Sequence, residues 1–209
     1  LIFGGSWGAT LGLAYGQAHP HACLGFVLRG IFLGRRSEID WFFWGMRHVF
    51  PEAWRNFIEM LPPQERADPL KGYCKRLFHP EPKVHLPFAR AWSEYEAACS
   101  TLRPNPDLAR HFSYETLALA RLEAHYFLHE CFLTPNQLLD NLYRMAHLPA
   151  SLVQARYDIV CPIINAEHLA RAWPSARFCV VPEGGHSVWE PNVRAVVMRE
   201  LEWMKRQLI

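Results

Sequence analysis

The chain has 209 residues, half of them hydrophobic and 20% charged, with 22 Lys and Arg against 20 Asp and Glu for a formal charge of +2. That length suits one domain or a domain carrying an insertion. A near-neutral balance whose longest basic run is Arg35-Arg36 offers no electrostatic footprint for nucleic acid or an anionic bilayer, and no apolar run approaches the roughly 20 residues that span hydrocarbon. The expectation is a soluble protein with no nucleic acid and no membrane among its partners. No charged-then-apolar leader opens the chain, and the six cysteines are dispersed without a Cys-x-x-Cys pair, which favours reduced thiols in a cytoplasm.

Leu1-Ile2-Phe3 reads as the tail of a strand that runs straight into Gly4-Gly5-Ser6-Trp7-Gly8, and so short a lead-in implies an N-terminus that begins part-way through a domain. Ala9 to His19 has helical spacing of Leu11, Ala14, Tyr15 and Ala18 and stops at His19-Pro20; Cys23 to Leu28 is a short apolar run, read as a strand, ending at Arg29-Gly30. From Gly34 to His147 the character changes to aromatic clusters (Trp41 to Trp44), prolines (Pro62-Pro63, Pro80, Pro82, Pro104, Pro106) and helical stretches such as Pro87 to Ser100 and Tyr114 to Glu130. This predicts a helical insertion without its own sheet. At Pro149 the strand-helix alternation resumes: strand Ser151 to Ala155, helix Asn165 to Trp173, strand Arg177 to Val181, and an amphipathic helix Asn192 to Leu208. The fold class is therefore α/β, a parallel sheet covered on both faces, with core segments 1–33 and 148–209 and an inserted helical cap over 34–147.

Gly4-x-Ser6-x-Gly8 between a strand and a helix has the pattern of a nucleophile elbow, in which a strained turn presents the serine hydroxyl and small neighbours let strand and helix approach. The competing reading is that Ser6 merely caps the helix. A serine hydroxyl needs a base and the base an orienting carboxylate, in the chain order Ser, acid, His for this kind of sheet. Asp158 follows the strand Ser151 to Ala155, and His186 follows the strand Arg177 to Val181 in Glu183-Gly184-Gly185-His186-Ser187, both beyond carboxyl ends of strands, where open α/β sheets build their sites. Other constellations are weaker. His125 and His129 stand four apart on a helix but lack an evident third metal ligand, and Cys161 reads as a small buried residue rather than a nucleophile.

Gly4-Gly5-Ser6-Trp7-Gly8, Leu28-Arg29-Gly30-Ile31-Phe32, Arg156-Tyr157-Asp158 through Cys161-Pro162, and Gly185-His186-Ser187 together resemble the prolyl aminopeptidases (proline iminopeptidases), serine peptidases of the α/β-hydrolase fold. The resemblance covers essentially the whole chain. It implies release of N-terminal proline from peptides by acyl transfer, with Ser6 as nucleophile, His186 as base then acid, Asp158 as orienter and the Trp7 N–H as an oxyanion donor. It implies no metal and no organic cofactor. Trp92-Ser93-Glu94-Tyr95-Glu96 and Ala120 to Phe127 match the cap motifs, which makes Glu96 and Glu123 the expected anchors for the imino group, with Phe32, Phe42 and Phe127 as the matching ring-pocket positions and Arg29 also substrate-binding. The chemistry agrees, since a cationic amine leaving water needs carboxylates at hydrogen-bonding distance and a compact ring needs an apolar surface.

The departures are Ala9 where the family has Ser, Phe42-Phe43 where it has Tyr-Tyr, and Ala155 where it has Gly. The family's His-Gly-Gly-Pro-Gly loop, which supplies a second oxyanion donor, would precede Leu1. On that reading the Leu1 strand is an unprotected edge, and this polypeptide in isolation is poorly folded or inactive beside a longer active parent. Two alternatives stay open: an esterase or amidase with the same three residues and a differently tuned cap, or a noncatalytic fragment serving as an interaction module. Self-association as a homo-oligomer is undecided by the sequence.

Overall fold

The computed structural model describes residues 1–105 and 116–209; Pro106, Tyr114 and Glu115 of the stretches named above lie outside them. By their contacts the residues form two compact units, Leu1–Leu33 with Thr134–Ile209, and Gly34–Leu133. The first unit holds a four-stranded parallel sheet in the order β1-β2-β3-β4, with β1 Ile2–Ser6, β2 Phe26–Ile31, β3 Ala150–Ala155 and β4 Arg177–Val181. Numbered in chain order, the described helices of four or more residues that matter below are α1 Trp7–Ala18, α2 Pro51–Glu59, α3 Pro69–Leu77, α4 Pro82–Cys99, α5 Thr116–Leu128, α6 Ile163–Ala172 and α7 Pro191–Gln207.

β2 starts later than the apolar run suggests. Pro20–Ala22 form a single 3₁₀ turn closed by the Cys23 N–H on Pro20 O, and the chain joins the sheet only at Phe26, whose N–H donates to Pro149 O at 2.9 Å. The strand then continues through Arg29 and Gly30. Helix α1 begins at Trp7 with no intervening loop, two residues before Ala9, and α4 begins at Pro82, with Pro87 tolerated inside it. Pro82 fits the first helical position because an N–H there would have no intrahelical partner.

All six residues of β3 are buried, and β2 exposes only Arg29 partly, so the two central strands are covered on both faces. Helix α1 packs on β1 and β2, α6 on β2 and β3, and α7 on β2, β3 and β4. β1 forms one edge of the sheet, with Phe3 half-exposed. Residues 134–147, assigned above to the insertion, pack with this unit: Gln17 Nε2 donates to Leu138 O (2.7 Å) and Trp173 Nε1 to Ala146 O (3.1 Å).

Helix α7 carries the expected apolar side, with Val193, Val197 and Met204 buried, but it also buries Glu200. Its carboxylate accepts from Ser151 Oγ (2.9 Å), Arg177 Nε (2.9 Å) and Arg199 Nε (3.0 Å). Burial works to raise its pKa, and the hydrogen bonds from the two arginines and the serine override this and hold it down to about 2. Glu200→Ala is expected to cost about 2–3 kcal/mol, below the full penalty for breaking a buried pair because both arginines retain water. The folded pKa is depressed below the ordinary 4.5, so this stabilisation is present above that pH and lost as pH falls toward 2. Urea unfolding of both proteins should show the difference at pH 7 and its collapse in acid.

In the second unit, aromatic side chains from four segments supply the core. Phe57 stacks on Tyr73 (ring centroids 4.2 Å) and on Tyr95 (4.7 Å), and Phe42 stacks on Trp92 (5.3 Å). Their polar tips are satisfied by backbone: Tyr73 Oη donates to Phe57 O (2.7 Å) and Tyr95 Oη to Phe42 O (2.9 Å). Beyond α5, Glu130, Cys131 and Phe132 all have left-handed backbone, with φ of 50°, 56° and 56°. Each such non-glycine residue carries roughly 1 kcal/mol or more of strain. Glu130 is exposed, and its ion pair to Arg36 is long (4.0 Å). Glu130→Gly should therefore raise stability by about 0.5–1 kcal/mol in thermal unfolding, the relief of strain exceeding glycine's entropy cost.

Candidate active site

The site is built where β1 turns into α1. Ser6 has φ 55° and ψ −122°, far from the extended backbone usual for a residue preceding a helix, and its side chain makes no capping hydrogen bond. Its hydroxyl is thus free of the helix, and the capping reading fails. The two glycines of the motif divide the work. A Cβ on Gly4 would lie 2.3 Å from Gly8 O, so only glycine lets the strand approach the first turn of α1 this closely. Gly8 faces open space, and its own lack of a side chain serves no packing need. The Trp7 N–H is the first of α1, at the positive end of the helix dipole.

β1 and β2 pair residue by residue up to Gly5↔Arg29 and then slip, so that Ser6 pairs with Ile31 and Gly30 is left over as a bulge with φ +52°. This bulge is a feature that the sequence reading passes over. A Cβ on Gly30 would lie 3.1 Å from His186 Cε1 and 3.4 Å from Asp158 Oδ2. The bulge therefore leaves room for the imidazole and the carboxylate beside the residue paired with Ser6.

His186 and Asp158 are both buried, and His186 Nδ1 is 2.9 Å from Asp158 Oδ2. The carboxylate is further fixed by the Cys161 N–H on Oδ1 (2.7 Å). Cys161 also touches the serine, its Sγ lying 3.9 Å from Ser6 Oγ. The His186 loop is tied down twice: Gly185 N–H donates to Glu190 Oε2 (2.6 Å), and Arg29 Nη1 donates to His186 O (2.8 Å). Gly5 has a matching role, because a Cβ there would overlap the Arg29 guanidinium. Arg29, expected to bind substrate, is thus engaged with the backbone of His186. Phe32 lies beside Trp7, with ring centroids 6.4 Å apart.

In the helical unit, Phe42 and Phe127 are buried, 5.6 Å apart, and both pack on Trp92. Trp92 Nε1 donates to Glu123 Oε2 (2.7 Å), and Glu123 also shares a hydrogen bond with Glu96. Burial pushes Glu123 up to about 7, opposed by those two hydrogen bonds. Two carboxyl groups joined by a hydrogen bond hold one proton between them. The rings of His125 and His129 lie 4.8 Å apart, with Phe132 stacked on His129. Among the described residues no group of three or more His, Cys, Asp or Glu could hold a metal ion, and no helix is long and apolar enough to cross a membrane.

Residues 1–192 match the family described as alpha/beta hydrolase fold. The chain belongs to that family. Among curated proteins it is 44% identical over 202 residues to a probable proline iminopeptidase of Leptolyngbya boryana (95% of this chain, 63% of the relative). It is 42% identical over 210 positions to the proline iminopeptidase of Arabidopsis thaliana (98% and 55%), and 38% identical over 205 to that of Neisseria gonorrhoeae (97% and 65%). The chain spans between about half and two thirds of these relatives' lengths. Among solved structures, a thermophilic esterase from Thermogutta terrifontis superposes with a TM-score of 0.63 at 15% identity (98% of this chain, 64% of that one). An esterase from Exiguobacterium antarcticum gives 0.57 at 16% (97% and 65%). At such identities these two speak to the fold alone.

Proposed function

We propose that the protein is a serine peptidase that releases N-terminal proline from peptides, with Ser6 as nucleophile, His186 as general base and acid, and Asp158 as the residue orienting it. The observation that carries this reading is the 2.9 Å contact between His186 Nδ1 and Asp158 Oδ2, joined through Cys161 to a serine held at φ 55° with its hydroxyl uncommitted to the helix. An ionised carboxylate only accepts, so Nδ1 carries the proton and Nε2 keeps its lone pair. Nε2 then takes the Ser6 proton as Oγ attacks the carbonyl carbon of the N-terminal residue. The Trp7 N–H donates to the developing oxyanion, helped by the α1 dipole. As the tetrahedral adduct collapses, the imidazolium gives its proton to the leaving amine, and water releases the acyl group by the same steps in reverse order of roles.

Selection for proline rests on the carboxyl pair Glu96 and Glu123 as the partner of the cationic imino group, and on the flat apolar surface of Phe42, Phe127 and Trp92 for the ring. The proline iminopeptidase relatives support this choice over a neutral acyl substrate. Incubation with a fluorophosphonate probe followed by peptide mapping should place one adduct on Ser6. A chromogenic Pro-aminoacyl amide should turn over faster than its acetylated counterpart, which has no cation to bind. A folded protein that is unlabelled, or that hydrolyses both amides equally, would overturn the proposal.

A further inference from the structure

Gln154 occupies a place in β3 where both neighbours along the strand are apolar, and it is fully buried. An amide in such a position is costly unless every polar atom is paired. Here each one is. Oε1 accepts from the Ile31 N–H (2.9 Å), while Nε2 donates to Asp158 Oδ2 (3.1 Å) and to Cys161 O (2.9 Å). Rotating the amide by half a turn would set an oxygen against a carboxylate and a carbonyl, and an NH₂ against an N–H, so one orientation alone is compatible with its surroundings.

What these bonds join matters more than their number. Ile31 is the strand partner of Ser6; Cys161 touches Ser6 through Sγ and Asp158 through its N–H; Asp158 Oδ2 is the same oxygen that faces His186. One rigid amide therefore fixes the carboxylate relative to the strand end that carries the nucleophile's partner. Asp158 Oδ2 receives one donor from Gln154, which leaves its other acceptor direction for the imidazole and keeps the carboxylate from rotating away.

We infer that Gln154 is a positioning residue of the acid–base pair: through Asp158 it holds His186 in the tautomer and orientation that accept the Ser6 proton. This rests on the functional reading above. Its hydrogen bonds go to Ile31, Asp158 and Cys161 and not to the serine or the histidine, so its effect falls on the chemical step and leaves substrate binding alone.

The test compares wild type, Gln154→Met, which deletes all three bonds in a side chain of similar length, and Gln154→Glu. The glutamate keeps the acceptor for Ile31 N–H but has at most one proton for two acceptors, and so stays informative if the methionine variant folds poorly. Both are expected to lower kcat on the Pro-aminoacyl amide, by up to about 10²-fold as misplacement of a reacting group does, with KM within about twofold. Both should also shift or broaden the downfield proton resonance of His186 Nδ1–H, assigned by its loss in His186→Gln. A merely structural role predicts a lower melting temperature with kcat and the resonance unchanged in the folded fraction, and that result would overturn the inference. If wild type neither turns over the amide nor reacts with fluorophosphonate, the peptidase reading fails by itself. The resonance still decides the question for Gln154, since unaltered signals in both variants exclude any hold on the pair.

Discussion

Ser6→Ala should lower kcat on the proline amide by about 10⁴–10⁶-fold, the scale seen when the nucleophile of a serine hydrolase is deleted, and should abolish fluorophosphonate labelling, while the melting temperature stays within error of wild type. The two halves of this expectation come from the same geometry. The hydroxyl makes no bond to α1, and its contact with Cys161 Sγ is a weak one at 3.9 Å, so removing it takes little from the fold. A serine serving as a helix cap would behave oppositely, costing about 1 kcal/mol of stability on replacement. Ser6→Gly sharpens the contrast. The φ of 55° is strained for any side chain with a Cβ, and glycine removes that strain. The glycine variant should be equally inactive and more stable than the alanine variant by about 1 kcal/mol in urea titrations. Stability sacrificed at a single backbone position, and recovered only when the hydroxyl is discarded, is the signature of a residue kept in place for chemistry.

How much of this was legible in the sequence depends on whether the information is local. The strand-to-helix turn at Gly4 to Gly8 is readable because five consecutive residues must meet a steric condition: a Cβ on Gly4 would meet Gly8 O, although Gly8 itself needs no missing side chain. The parallel sheet follows from strands alternating with helices, and β4 was delimited to the residue because turn signals flank it at both ends. Boundaries failed where a neighbouring strand decides them: β2 begins at Phe26, not Cys23, because the 3₁₀ turn at Pro20 delays the extended backbone that pairs with β1. The site residues that the sequence reading missed are of the same kind. Gly30 matters through a register slip against β1, and Gln154 through a carboxylate four residues on and an N–H from another strand; Arg29 is expected as a substrate contact, and its bond to the carbonyl of a residue 157 positions away is equally non-local. One kind of signal was available for Gln154 and, away from the site, for Glu200. A polar residue inside an otherwise apolar strand, Gln154, and an acid on the apolar side of an amphipathic helix, Glu200, each announce a buried partner, though neither says which.

Glu123→Gln should move activity and stability in opposite directions. Glu123 and Glu96 share a proton, and burial raises Glu123 to about 7 from an ordinary value of 4.5. Because the folded pKa is raised, the neutral carboxyl contributes stability that is full below about 4.5 and is lost as pH rises through 7. Glutamine is neutral throughout: its carbonyl can still accept the Trp92 indole N–H, and its NH₂ can donate to Glu96. The variant should match wild type in acid and exceed it by about 1–3 kcal/mol at pH 8, a range taken from 1.36 kcal/mol per unit and reduced for the side chain's partial exposure. Substrate reverses the sign. On the proposed function an imino cation displaces the shared proton and uses both carboxylates, so the glutamine variant should lose one charge-assisted hydrogen bond, about 1.5–3 kcal/mol or 10–10²-fold in kcat/KM for the proline amide. A neutral short-chain ester brings no cation and should be hydrolysed by both proteins to within about threefold. In wild type the KM for the amide should climb as pH is lowered through about 7, where the pair gains its proton, while the KM for the ester stays flat. Equal losses on amide and ester would transfer the specificity of this site to an uncharged acyl group and leave the buried proton as a purely structural one.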